Sequence, residues 1–581
     1  MMRVAFIALL TLTSLGMLGS VAFADAAPAD KDKAAAPAPP SPTPAPPTAD
    51  SGDTAWMLVS CGLVMLMTPG LALFYGGLVR SKNILGTMMH SMIALAIIGI
   101  QWVLVGYSMA FGVKGSYLGY LGWDPAYLGL SGVSPGDLFA DSKIPIYVHC
   151  MYQGMFAIIT PALISGAIAE RVRFGPYCLF ILLWGLIVYN PLAHWVWAYG
   201  PTPTPEDANK FGALGFLGKM GALDFAGGTV VHISAGFSAL AAILCLRKRI
   251  GYPEHAMHPN SIVLALFGAG LLWFGWFGFN GGSGLGCSTG NDNGKLFHLG
   301  ASAFTATQCA AAAAGLTWAL IEWLHRGKPT GLGLATGIVA GLVAVTPASG
   351  FVSPISGLII GAAASLVCYT FVMLKSVFGY DDSLDAFGVH GIGGLLGALL
   401  TGIFASKAIN PLGADGGAEL FKNQAVAAGV AIVYSIVVTV VLVKVIDLLF
   451  GFTLSPEEES IGLDRSEHGE VGFDFGTAYD VVPETRLPEP RAANVPPNGA
   501  GRFSVVLEGA NPNDVMAAWS AMYKTGGTLS SDLRAIYPYL TTVSGNRFRF
   551  RGGDRSTMAT VLERVFTSNL KGQKISAKIE N

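Results

Sequence analysis

The chain has 581 residues, 52% of them hydrophobic and only 12% charged, with 75 glycines. Soluble domains average about 25% charged residues, so this composition excludes an ordinary soluble protein and points to a polytopic protein in a lipid bilayer. The formal net charge of −2 carries no nucleic-acid signal, and seven cysteines without paired spacing give neither a disulfide framework nor a zinc site.

Residues 1–24 read as a secretory signal peptide. Arg3 supplies the positive start, Val4 to Leu18 the apolar region, and Ala22-Phe23-Ala24 a small-x-small cleavage site. Residues 25–52 form an Ala/Pro-rich linker, because proline joins neither a helix interior nor a sheet ladder. A ligand for proline-recognising domains is the alternative reading. Eleven apolar spans follow, at about 55–79, 84–111, 146–169, 175–198, 224–246, 260–280, 297–324, 331–347, 354–374, 384–405 and 424–451. Arg80, Arg171, Arg173, Arg247, Arg249 and Arg326 all fall after odd-numbered spans. Positive residues stay cytoplasmic. The N-terminus is therefore expected outside and the C-terminus in the cytoplasm of a cell-membrane protein. Spans one to five and six to ten become two five-helix halves of opposite orientation. The dense glycines let helices pack closely in lipid, and Pro69, Pro161 and Pro191 are expected to bend their spans.

The membrane part is expected to run over 53–455. Residues 456–478 form a charged cytoplasmic tail, 479–501 a Pro-rich linker and 502–581 a small soluble unit. In that unit Phe503 to Leu507 reads as a strand. Asn511-Pro512 starts a helix with Val515, Trp519 and Met522 on one face. A strand is expected near Ile536 to Val543, and Arg547 to Arg551 alternates as a half-buried strand does. Ser556 is expected to cap a helix carrying Leu562, Val565 and Phe566, and Ile575 to Ile579 closes the unit. The order βαββαβ is that of ferredoxin-like domains. Arg547, Arg549 and Arg551 read as a solvated strand face, with an anionic ligand as the alternative. The expected fold class is an all-α polytopic membrane protein of eleven transmembrane helices with an inverted five-helix repeat, plus this small α+β domain.

Two segments carry candidate chemistry. Asp224 opens the fifth span and His232 follows eight residues later; Asp382 precedes His390 by the same spacing at the tenth. An ionisable group at membrane depth costs several kcal/mol, so it faces a cavity or a polar partner. Many transporters build their site near the midplane from such an inverted pair. The alternative is two unrelated, individually satisfied histidines. An acid at the start of a span can also cap its helix. Asp224, and likewise Asp382 and Asp385, are assigned structural and electrostatic roles on that ground.

Asp224-Phe225-Ala226-Gly227-Gly228-Thr229-Val230-Val231-His232-Ile233 resembles the signature of the ammonium transporter (Amt) family. So do Pro69-Gly70 to Phe74-Tyr75-Gly76-Gly77, Gly275-Trp276-Phe277-Gly278-Phe279-Asn280 and Phe387-Gly388-Val389-His390-Gly391. The similarity extends from about Asp53 to about Glu470, and the elements Gly462-Leu463-Asp464 and His468-Gly469-Glu470 are similar to the family's cytoplasmic tail motif. Residues 502–581 have no counterpart in the usual pattern.

The resemblance implies transport of ammonium or ammonia, with methylammonium as an analogue, through one pore per subunit of a homotrimer. It implies cation capture at Trp197, Phe156 and Ser283, helped by cation–π attraction. A gate of stacked phenyl rings, Phe156 and Phe279, would follow, and then the imidazole pair His232 and His390. Deprotonation of the captured cation would let ammonia alone pass an apolar pore. Tyr152, one turn before Phe156, stands where phenylalanine is common in the family. A neutral histidine has one donor and one acceptor nitrogen, so a pair can share one proton. The family also implies a PII-type signalling protein as a partner on the cytoplasmic face. No cofactor is implied, and no hydrolase, kinase or redox motif appears in the spans. An ammonium sensor signalling through the C-terminal domain is the competing reading, and a Rh-type gas channel is a third.

Overall fold

Apolar runs long enough to cross a bilayer become helices here because only a helix satisfies every backbone polar group internally in lipid. The computed structural model describes residues 48–113, 120–139, 142–199, 213–287, 291–292, 295–296, 298–473, 502–524, 540–544, 546–551, 554–570 and 573–580. The expected signal peptide, almost all of the 25–52 linker and the 479–501 linker lie outside them. The chain divides into two units, 1–472 and 473–581.

Among the described residues of the first unit, ten helices are long and apolar enough to cross a membrane. They are α1 (Ser51–Leu78), α2 (Ser81–Phe111), α3 (Ile146–Ile168), α4 (Phe174–Trp197), α5 (Gly228–Cys245), α6 (Ile262–Gly284), α7 (Leu299–Arg326), α9 (Pro354–Phe378), α10 (Phe387–Phe404) and α11 (Ala418–Phe450). Between α7 and α9 lies the shorter apolar helix α8 (Gly331–Val345). It stops two residues before the expected 347 for a local reason: Pro347 has no N–H to continue a helix. The carbonyl of Pro347 accepts instead from Phe225 N–H. The helices α1–α5 and α6–α10 form the two five-helix sets, and α11 packs along α5, α10 and α4.

Local chemistry sets several boundaries. Asp50, Ser261, Thr330 and Ser353 each cap a helix start by accepting a backbone N–H three residues on. Pro191 lacks the N–H that would bond the Ile187 carbonyl; the helix widens into a π-turn over Gly185–Tyr189, and the Tyr434 hydroxyl donates to Ile187 O. At the close contact of α5 with α10, a Cβ on Gly236 would lie 2.1 Å from Gly391 N, so only glycine allows the two histidine-bearing helices to approach.

In the second unit, β1 (Arg502–Glu508), α13 (Pro512–Lys524), β2 (Leu540–Ser544), β3 (Arg547–Arg551), α14 (Arg555–Asn569) and β4 (Ser576–Glu580) follow in sequence. The tail before this unit carries α12 (Pro456–Ile461). The sheet order is β2-β3-β1-β4, antiparallel throughout, the ferredoxin-like arrangement the element order implies. Phe503, Val505, Leu507, Phe548 and Phe550 are buried with Leu562, Val565 and Phe566 of α14, so alternation decides which strand face meets the helices. Asp554, not Ser556, caps α14: its carboxylate accepts from Thr557 N–H. Residues 525–539 and the Met522 side chain lie outside the described set.

Candidate functional site

The helices α5 and α10 begin in the same way. The Asp224 carboxylate accepts four backbone N–H groups: Gly227 (2.9 Å) and Gly228 (2.6 Å) on Oδ1, Thr229 (2.8 Å) and Val230 (3.0 Å) on Oδ2. The helix therefore starts at Gly228 rather than at 224, and Gly227 takes the left-handed φ of +120° that the turn requires. A carboxylate has about four lone-pair sites; here all four hold a donor. Burial pushes this carboxyl above its ordinary value and the four N–H bonds oppose that. With donors on every side, no acceptor remains for a carboxyl hydrogen, so the geometry holds the ionised form. Asp382 repeats the arrangement with half the bonds, from Ala386 N–H (3.1 Å) and Phe387 N–H (2.8 Å). It is pushed up to about 6 by burial and by the charge of Asp385. The Asp385 carboxylate pairs with Lys375.

Each cap is followed by a π-turn, Gly228–Ile233 and Phe387–Gly391, and each turn carries its histidine. The widened turn, a feature common at functional sites, brings the two rings together. His232 Nδ1 and His390 Nδ1 are 3.3 Å apart, with ring planes 21° from parallel. For two neutral rings one Nδ1 must donate and the other accept, so the remaining Nε2 atoms are one acceptor and one donor. His232 Nε2 has no partner among the described residues. Trp276 stacks on His232 at 5.5 Å, its indole N–H fixed by Thr346 Oγ1 at 2.9 Å. Apart from the imidazoles, the Trp276 indole and the Met67 thioether, the narrow cavity beside the pair is lined by hydrocarbon, including Leu71, Ile159, Leu272 and Val339.

On the face opposite the arginine-bearing loops, Phe156 and Phe279 lie with centroids 4.2 Å apart. Phe279 is 6.1 Å from His232. Trp197, at the end of α4, meets Phe156 edge-on at 6.0 Å and donates its indole N–H to the Asp224 carbonyl at 2.8 Å. Ser283, at the end of α6, donates to Phe279 O at 2.9 Å. The sequence-selected residues Trp197, Phe156, Ser283, Phe279, His232 and His390 are thus drawn from five helices into one column. Towards the arginine-bearing face a cavity of about 420 Å³ begins at His390 and runs past Tyr75, Trp318, Lys375 and Asp385 to Arg249 and Tyr252.

The sequence reading used the arginines only as markers of sidedness, and so missed a buried ion cluster around that mouth. Glu170 bonds Arg80 (3.0 Å) and Arg249 (2.9 Å), and Asp381 bonds Arg171 (2.8 Å) and Arg249 (2.7 Å). Burial alone would raise both acids, but their arginine partners hold them below the ordinary carboxylate values. The tail closes over this cluster. Ser455 and Glu458 form a reciprocal capping box at α12 (Pro456–Ile461). Buried Glu459 accepts from Ile250 N–H at 2.8 Å and pairs with Arg247. Leu463 N–H donates to Asn83 Oδ1, and Gly86 N–H to Asp464 Oδ1, both at 2.8 Å.

Two inverted five-helix sets around a column of aromatic and imidazole rings define a multi-pass membrane protein of the transporter class. The family model for the Ammonium Transporter Family matches residues 55–473, and the chain belongs to that family. An ammonium transporter of Bacillus subtilis is 46% identical over 429 residues, covering 73% of this chain and 98% of the relative. The crystal structure of Saccharomyces cerevisiae Mep2 has a TM-score of 0.63 at 34% identity, covering 74% of this chain and 93% of that one. A structure described as a sensor Amt protein also has a TM-score of 0.63, at 28% identity, covering 72% of this chain and 98% of that one. The chain is a member of a transporter family rather than an enzyme.

Proposed function

We propose that the protein conducts ammonium nitrogen across the membrane by capturing the cation and passing ammonia. Trp197, Phe156 and Ser283 take up ammonium or methylammonium at the outer mouth, where the aromatic faces attract a cation by about 2 kcal/mol or more once it is desolvated. Passing the Phe156–Phe279 gate strips the cation of water. A charged species is costly in the hydrocarbon-lined cavity below, so a proton is given up there and neutral ammonia goes on. The His232–His390 pair offers one acceptor and one donor nitrogen along the way, and its shared hydrogen is a route for the released proton. The observation that carries this reading is the 3.3 Å Nδ1–Nδ1 contact set within an apolar cavity. The arginine-bearing face is cytoplasmic in this reading, the working form is a homotrimer, and that face is where a PII-type protein would dock. Residues 502–581, joined to the tail by the Pro-rich stretch 479–501, act as a regulatory domain by effective concentration.

The test is flux and selectivity in proteoliposomes, with current recorded on a solid-supported membrane during an ammonium jump. Replacing His232 and His390 together by Ala should change selectivity and admit potassium. A double variant with unchanged flux and unchanged selectivity would show the pair to be structural.

A further inference from the structure

The two halves of the membrane unit repeat one contact with a different residue in it. Trp197 ends α4, the fourth helix of the first set, and donates its indole N–H to the Asp224 carbonyl at 2.8 Å. Lys375 lies in the last turn of α9, the fourth helix of the second set, and its ammonium donates to the Asp382 carbonyl at 3.0 Å. Asp224 and Asp382 are the equivalent caps of α5 and α10, so Trp197 and Lys375 hold equivalent places at the two ends of the column. Lys375 also donates to the Asp385 carboxylate, and both side chains are partly buried. Asp385 stands in the left-handed region at φ +59°, a conformation that aspartate enters more readily than most residues. The approaches to the histidines differ as well. On the outer side the Phe156 and Phe279 rings pack at 4.2 Å, with Phe279 6.1 Å from His232. On the arginine-bearing side the cavity of about 420 Å³ reaches His390, and Lys375 and Asp385 stand on its wall. Size therefore does not bar a small cation from that cavity; charge is what can.

We propose that Lys375 makes cation capture one-sided. Its ε-ammonium is a tethered alkylammonium that already holds the Asp385 carboxylate and the Asp382 carbonyl. Left bare, those acceptors would draw ammonium or methylammonium into the cavity from the arginine-bearing side. A donor fixed beside its acceptors competes without the entropic cost of association, and its charge repels a second cation. Where Trp197 offers a ring face that attracts a cation, Lys375 supplies the charge of one. This rests on the transport reading and the capture site proposed above, and adds to them the residue that confines capture to the outer mouth.

The experiment measures methylammonium uptake over a range of concentrations in right-side-out and everted membrane vesicles. The cells lack other ammonium transporters, so each face of the full-length protein is presented in turn. The parent should half-saturate at a concentration about tenfold or more lower from the outer face than from the arginine-bearing face, the scale of one hydrogen bond to a charged group. Lys375→Met keeps the length of the side chain and removes its charge. It should lower the half-saturating concentration at the arginine-bearing face about tenfold and leave the outer-face value within about twofold. Lys375→Arg should keep the parent's asymmetry. So should Lys375→Met combined with Asp385→Asn, because no bare carboxylate is then left for a cation. If Lys375→Met transports from the outer face and its half-saturation at the other face is unchanged, Lys375 only holds its loop and the proposal is wrong. A parent that half-saturates equally from both faces overturns it too, and that measurement decides even where Lys375→Met fails to insert. If Trp197→Leu leaves the outer-face value unchanged, the capture site itself is misplaced and the proposal falls with it.

Discussion

Replacing Asp224 by Asn tests whether this acid holds the entrance together or binds the cation itself. The amide keeps one oxygen, enough for the two N–H groups of Gly227 and Gly228 now on Oδ1. Its NH₂ then faces the N–H groups of Thr229 and Val230, which lie at 2.8 and 3.0 Å from Oδ2. Each buried donor left without an acceptor costs about 1–3 kcal/mol, and losing the negative charge at a helix start costs up to about 2 kcal/mol more. The expected destabilisation is therefore about 2–8 kcal/mol. The Trp197 indole bond is to the Asp224 backbone carbonyl, so it survives the substitution. Thermal unfolding of the detergent-solubilised protein should show a large loss of stability. The fraction that remains folded should take up methylammonium with a half-saturating concentration close to that of the parent. The opposite pair of results, unaltered unfolding with a much raised half-saturating concentration, would refute the reasoning. It would mean that the carboxylate has a lone pair to spare for the cation after all.

Three further outcomes follow from the arginine-bearing face and the second unit. Arg249→Ala strips the buried carboxylates Glu170 and Asp381 of a shared partner; breaking a buried pair this way costs about 3–5 kcal/mol, and protease sensitivity of the tail should rise with it. The same ion pairs predict an acid limit. Asp381 lies below its ordinary value of 3.8, so its stabilising contribution is present above that pH and is lost as pH falls through its lower folded value; acid unfolding should begin earlier in Arg249→Ala. Deleting 502–581 while keeping the tail to Gly472 should leave assembly and basal selectivity intact but change the response of cells shifted between ammonium-poor and ammonium-rich medium. An identical response, with nothing bound by the isolated domain, would remove the regulatory proposal.

The sequence by itself determined the parts whose physics is local. Length and polarity of an apolar run decide whether it can be a membrane helix, so the spans were legible to within a few residues, and the second unit showed its strand and helix order through period-two and capping patterns. The equal spacing of Asp224 to His232 and of Asp382 to His390 marked both histidine-bearing segments before any contact was known. Only the tertiary structure decided what those residues do to one another. The spacing of eight does not say that four N–H groups occupy the Asp224 carboxylate while Asp382 holds two, or that two π-turns widen the helices until the imidazoles meet at Nδ1. Nor does the chain show that Lys375 repeats at the Asp382 carbonyl the contact that Trp197 makes at the Asp224 carbonyl. Arg249 looked like a marker of sidedness because its partners Glu170 and Asp381 are 79 and 132 positions away. Charge pairing over such separations is set by how the helices pack, and that packing depends on small residues such as Gly236 whose neighbours the sequence does not name.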